Sequence, residues 1–149
     1  SFKVALLRPC MIYGLGNKGN LPRLAWLATK TPIFPAWHNK RSMIHVYNLA
    51  ELVRQVILRE LSGIFHPQNK EYADTVEIVR YFAKKYNKKV WITVGINPLV
   101  WLGSFFLKSI CKMFADSCYD QKISTYDFEY QVVKFEESLK DVEARKNMK

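Results

Sequence analysis

Short apolar runs alternate with segments of helical period along most of the chain. Val4 to Leu7 is an apolar run closed by Arg8-Pro9, the pattern of a buried strand. Gly14, Gly16 and Gly19 mark a flexible connection ending in Asn20-Leu21-Pro22. Asn suits an N-cap and Pro the first turn, so a helix is predicted to start here, with Leu21, Leu24, Ala25 and Ala28 on its buried face. Pro32 and Pro35 bracket Ile33-Phe34 and leave room for only a very short extended piece. Ser42 to Val46 reads as the next strand. Asn48 and Glu51 stand at capping-box spacing, Leu49, Leu52, Val53, Val56 and Ile57 follow at helical period, and Gly63 is expected to close that helix.

Ile64-Phe65-His66 reads as a short strand. Asp74 and Glu77 repeat the capping spacing before a helix running to about Tyr86, and the β-branched and aromatic run Val90 to Val94 predicts another strand. Asn97-Pro98 opens the most apolar segment, which continues to about Ala115. Ser104, Lys108, Lys112 and Asp116 recur along it every four residues. Two lysines near the middle of a membrane span would each cost about 2.5–3.5 kcal/mol. The segment is therefore read as a largely buried helix, or one packed on another domain. Tyr126, Phe128 and Tyr130 alternate like a strand, and Phe135, Leu139 and Val142 give a last amphipathic helix. There is no internal repeat. Strands alternating with helices predict an α/β fold.

Composition narrows the function classes. With 149 residues, 49% hydrophobic and 24% charged, the chain can build one domain with a real core and is neither a disordered tail nor a membrane protein by composition. The net charge of +10 attracts anions, whether nucleic acid, acidic lipid or a phosphorylated small molecule. Cys10, Cys111 and Cys118 are odd in number with no CxxC, so no disulfide framework or zinc site is indicated. They fit reduced thiols in a cytoplasmic protein. No basic-then-apolar leader opens the chain, and its start at Ser-Phe-Lys reads as a truncation.

The residues that could carry chemistry do not form a complete catalyst. His38, His45 and His66 are scattered, with no HxH or HExxH spacing and no metal site. His45 falls within an apolar strand, where a hydrogen-bonded structural histidine is expected. Gly14-Leu15-Gly16-Asn17-Lys18-Gly19 fits GxGxxG literally, but the dinucleotide fingerprint also needs an acidic residue about 20 positions on. There is no Asp or Glu between Ser1 and Ala50, so a dinucleotide site is rejected. Tyr81-Phe-Ala-Lys-Lys85 is taken as a coincidental Tyr/Lys spacing. From Lys3 to Lys40 this stretch carries only positive charge, including Arg8, Lys18, Arg23, Lys30 and Lys40, with Arg41 just beyond Lys40. It is either a solvated basic face or a surface tuned for phosphate, helped by backbone N–H groups at the helix start. Arg41 is the best single phosphate candidate, because its planar fork suits phosphate oxygens.

Four motifs come in one order: Leu7-Arg8-Pro9-Cys10-Met11-Ile12-Tyr13-Gly14, Gly19-Asn20-Leu21, Pro32-Ile33-Phe34-Pro35, and Arg41-Ser42-Met43-Ile44-His45-Val46-Tyr47-Asn48-Leu49-Ala50. The series resembles the second half of the extended short-chain dehydrogenase/reductases, the NAD-dependent epimerase/dehydratase family, and is most like its UDP-glucose 4-epimerase branch. It covers residues 4 to 66, and the remainder only in element order. The resemblance implies an α/β fold of short strands alternating with helices. Residues 1–149 would be one substrate-binding domain, with 1–16 the last strand and loop of an NAD-binding sheet whose Rossmann half is absent.

The resemblance also implies roles. Pro9 would lie near the nicotinamide; Asn20 and Leu21 would hold the nucleotide sugar; Ile33 and Phe34 would line the uracil; Arg41 would grip the diphosphate. Met11 stands where many relatives place an Asn, Asn48 replaces the usual Asp, and a second phosphate-binding Arg has no counterpart. The glycine fingerprint and the catalytic Tyr-x-x-x-Lys belong to the half outside this series. The full-length parent would use NAD to oxidise a sugar hydroxyl and return the hydride to the other face of the keto sugar, in carbohydrate metabolism. The chain alone is expected to be catalytically inactive, to bind no NAD tightly, to take a UDP-hexose, and to self-associate, with a homodimer possible for the parent. Nucleic acid and membrane are not among its expected partners. The rival classes are a basic nucleic-acid-binding module, for which no motif is present, and a membrane-associated domain using residues 98 to 115. A dehydratase or reductase of the same family is the nearer alternative.

Overall fold

The computed structural model of the chain describes residues 2–16, 19–106 and 113–142. The fold is α/β, with three separate pairs of three-residue parallel strands. The chain divides into two compact units, one made of residues 1–15, 42–72 and 118–141, the other of 16–41, 73–117 and 142–149.

In the first unit, β1 (Ala5–Leu7) pairs with β5 (Gly63–Phe65), and β2 (Met11–Tyr13) pairs with β4 (Met43–His45). Helix α2 (Val46–Leu58) leaves β4 directly and lays Leu52 and Val56 against Ile44 and Phe65. Phe128 and Tyr130 complete this core. Each large apolar side chain fully buried here contributes on the order of 1.5–3 kcal/mol. A Cβ at Gly14 would come within 2.7 Å of Val46 Cγ1, so the turn out of β2 needs the missing side chain.

In the second unit, α1 (Asn20–Lys30) packs on α3 (Thr75–Lys85). Leu21, Leu24, Ala25 and Ala28 form the buried face of α1, as the periodicity predicts, and Val76, Val79, Phe82 and Ala83 that of α3. Asp74 caps α3 by accepting the Val76 N–H at 2.8 Å. β3 (Ile33–Pro35) pairs with β6 (Trp91–Thr93), and α4 (Asn97–Phe106) follows a single 3-10 turn.

Several expectations need correction. Helix α1 is capped by Gly19, with Asn20 as its first residue. Helix α2 starts two residues before the expected capping box, because the Asn48 side chain is committed elsewhere. Gly63 does not end it. The helix ends in a Schellman arrangement, with Leu61 N–H donating to Val56 O and Glu60 N–H to Ile57 O, Glu60 taking a φ of 49°. Gly63 instead opens β5 at a φ of 123°. Met11–Tyr13, to which the periodicity assigns no element, is a strand.

Residues 125–134 form no strand, yet Phe128 and Tyr130 are buried. The last helix is a single turn, α5 (Phe135–Ser138), continued by a 3-10 turn over Leu139–Asp141. The segment from Asn97, expected to be largely buried or packed on another domain, is not largely buried: it exposes Trp101 and Phe105. Its later part, including Lys108 and Lys112, lies outside the described residues. Among the described residues, no helix is long and apolar enough to cross a membrane.

Asn48 holds residues 131–135 in place. Its amide donates to Val133 O at 2.9 Å and to Asn69 Oδ1 at 3.1 Å, and its carbonyl accepts Val133 N–H at 2.9 Å. Asn69 in turn donates to the Tyr13 hydroxyl at 2.9 Å, which meets Ser138 Oγ at 2.5 Å. The ring of the buried His45 is not hydrogen-bonded as expected: among the described residues neither ring nitrogen has a hydrogen-bond partner, although Asp141 Oδ2 lies 3.5 Å from Nε2 at ion-pair distance.

Two tests follow from these contacts. Asn48→Asp keeps the shape but turns two donated bonds into contacts between oxygens, and should cost about 2–4 kcal/mol, a fall in Tm of roughly 5–15 °C. An unchanged Tm would show that the amide donors are not used. Burial also holds the His45 imidazole below its ordinary pKa, with Asp141 pulling the other way. The unfolded chain then takes up the proton near pH 6.5 and the folded chain only at lower pH. Stability should therefore fall as pH drops below about 6.5. Urea midpoints across that range should show the slope, and His45→Phe should flatten it.

Candidate functional site

The second unit gathers five of the six sequence-predicted site residues. Asn20 and Leu21 open α1, so their backbone N–H groups belong to the first turn, where no carbonyl of the helix can accept them. Asn20 is half-buried, whereas the Leu21 side chain is buried in the α1–α3 core, which leaves backbone as the group Leu21 can offer a ligand. Ile33 is 46% exposed, and Phe34, its neighbour on β3, is buried with its ring 5.8 Å from that of Phe114. One residue of this pair can therefore line a ligand while the other anchors the strand.

Arg41 is fixed through backbone and side chain together. Its N–H donates to Ala73 O at 3.0 Å and its carbonyl accepts Ala73 N–H at 2.9 Å. It forms a second bridge, parallel, with Ser117. The guanidinium donates to Met113 O at 3.1 Å, and burial lowers its pKa from the ordinary arginine value. The same carbonyl accepts from Asn39 Nδ2 at 3.2 Å and Thr75 Oγ1 at 3.2 Å, while Asn39 Oδ1 accepts the Thr75 N–H at 3.0 Å. Lys40 N–H donates to Asp116 Oδ1 at 2.7 Å. A buried arginine so held keeps little rotamer freedom to lose on binding an anion.

Asn39 and Thr75 are the supporting residues that sequence reasoning missed. They lie 36 positions apart and belong to no motif. Pro9, the sixth candidate, lies half-buried in the first unit between β1 and β2. That unit also has an open cavity of about 300 Å³, lined by Asn69, Lys70, Glu71, Gln131, Val133, Lys134 and Phe135, none of them a sequence-predicted site residue. Cys10 donates to Pro67 O at 3.4 Å, and burial pushes its thiol up to about 12, so it is not a reactive cysteine.

The residues present do not make a dinucleotide site. Strand β2, the glycine-containing turn and α1 do follow in strand–loop–helix order, but the sequence has no Asp or Glu before Glu51, so none follows β3 at the spacing that would take a ribose hydroxyl.

No family model matches the chain. The UDP-glucose 4-epimerase of Vibrio cholerae is 30% identical over 115 residues, 73% of this chain and 35% of that protein. The chain thus spans about a third of the length of this curated relative. Among solved structures, the Thermus thermophilus UDP-glucose 4-epimerase in complex with NAD aligns over 94% of this chain and 45% of its own, with a TM-score of 0.61 at 16% identity. The dTDP-glucose 4,6-dehydratase of Bacillus anthracis, also in complex with NAD, aligns over 93% and 43%, with a TM-score of 0.61 at 15% identity. By sequence and by fold the chain is similar to members of the NAD-dependent epimerase/dehydratase family, the extended short-chain dehydrogenase/reductases.

Proposed function

We propose that the chain is the sugar-nucleotide-binding part of an NAD-dependent nucleotide-sugar epimerase that takes a UDP-hexose. The observation that carries this reading is Arg41: a buried guanidinium, held by two backbone bridges and one carbonyl, in the same unit as Ile33, Phe34 and the start of α1. Arg41 would pair with the diphosphate, the first-turn N–H groups of Asn20 and Leu21 would add donors to the sugar nucleotide, and Ile33 would form the apolar wall for the base, with the buried Phe34 anchoring it from behind. The likeness to the Vibrio cholerae enzyme favours an epimerase over a dehydratase. Pro9 would stand near the nicotinamide in the whole enzyme, with 1–16 as a strand and loop of its NAD-binding sheet. Self-association is proposed through β1, whose outer edge has no strand beside it among the described residues and whose central Leu6 and preceding Val4 are exposed.

Two measurements test this reading. A charge-assisted diphosphate contact contributes about 1.5–3 kcal/mol, so Arg41→Ala should raise the UDP-glucose dissociation constant roughly ten- to a hundredfold in calorimetry on the intact protein. An unchanged constant with the fold preserved would remove Arg41 from the site. The 149-residue chain supplied with NAD should not interconvert UDP-glucose and UDP-galactose, because no dinucleotide fingerprint or catalytic Tyr/Lys pair is assigned within it. Measurable conversion in a coupled assay would overturn that.

A further inference from the structure

Helix α4 is unusual for what it leaves uncovered. Its sequence, Asn-Pro-Leu-Val-Trp-Leu-Gly-Ser-Phe-Phe, contains no charged residue. Pro98, Leu99, Trp101, Leu102, Phe105 and Phe106 are exposed, and Phe105 and Phe106 are 69% and 78% accessible. At 100° per residue these six positions occupy one continuous arc of about 160°. Just before the helix, Trp91 is 80% and Val94 70% exposed, extending the apolar surface back through β6. Contiguous apolar surface of this kind marks a contact.

The charge of the surrounding segment says what the contact is with. Between Glu77 and Asp116 there is no acidic residue, while Arg80, Lys84, Lys85, Lys88, Lys89, Lys108 and Lys112 are all cationic. Lys84, Lys88 and Lys89 are exposed, and the last two enter β6 directly. A second copy would bring its own lysines against these, which disfavours self-pairing on this face. An anionic lipid surface offers acyl chains for Leu, Trp and Phe and negative headgroups for the lysines. Tryptophan at both Trp91 and Trp101 suits the boundary between the two.

We propose that β6 and α4 form a membrane-docking surface that lies on, and does not cross, a bilayer rich in anionic phospholipid. Vesicle co-sedimentation of the 149-residue chain tests it, using phosphatidylcholine alone and phosphatidylcholine mixed with phosphatidylglycerol. The chain should be retained on the mixed vesicles and much less on the neutral ones, with retention reduced by salt. Phe105→Glu with Phe106→Glu should abolish retention while far-UV circular dichroism and Tm stay unchanged. Lys88→Glu with Lys89→Glu, which leaves the apolar face intact, should weaken it on the order of ten- to a hundredfold.

Equal retention on both vesicle types, retention on neither, or insensitivity to the phenylalanine pair would overturn the proposal. So would a concentration-dependent dimer, without vesicle binding, that the phenylalanine variant dissolves, since that would assign the face to a second copy. Vesicle binding and UDP-glucose binding are read separately, so either can fail alone.

Discussion

In the first unit, ten residues without regular structure, 125–134, must still deliver two aromatic side chains to the core, and the Asn48 carboxamide makes this possible. It offers a donor and an acceptor to the same peptide group region at Val133, replacing the two bonds a neighbouring strand would have supplied. With that end fixed, the Tyr130 hydroxyl donates to Gln68 O at 2.7 Å, and Ser124 Oγ, which donates to His66 O at 2.6 Å, accepts from Gln68 Nε2 at 2.8 Å. Buried polar groups satisfied in this way specify a single packing, and one lost member strands its neighbours. An ionised aspartate at position 48 could not make the same donated bonds.

The second unit solves a related problem differently. Residues 39–41 form only isolated bridges, and they are tied to their surroundings through backbone and side-chain groups together. Asn39 reaches the start of α3 and the backbone at Met113 and Ala115, Lys40 is held by Asp116, and Arg41 bridges Ala73 and Ser117. The guanidinium arrives already oriented, which is what a binding group needs if little of its interaction energy is to be lost in ordering it.

Legibility in the sequence followed length and periodicity. The buried face of α1 and the Asp74 cap of α3 could be read because eleven-residue helices repeat their pattern several times. Strand β2 could not, since Met11-Ile12-Tyr13 is too short for alternation to show. Tyr126, Phe128 and Tyr130 have the spacing of a strand and two of them the burial, but their partner is a side-chain amide, which no periodicity reports. The end of α2 was misread for a similar reason: Glu60 takes the left-handed position that glycine usually fills, so the expected marker was sought too late. Arg41, Ile33 and Phe34 stand at motif positions in the sequence, whereas Asn39 and Thr75, which share the Met113 carbonyl with Arg41, meet only through a contact distant in sequence.

The strand pairs also bear on how the chain reaches this structure. Each is parallel and only three residues long, and β1 meets β5, as β3 meets β6, across roughly sixty residues of intervening chain. Closing such loops costs entropy before the few ladder bonds can return any of it. Contact order is therefore high for a chain with this much helix, and the helices, whose contacts are local, have reason to form well ahead of the sheets. Until the strands pair, the apolar side chains of β1 and β5 remain open to other chains, so the interval before pairing is when this sequence is most exposed to aggregation.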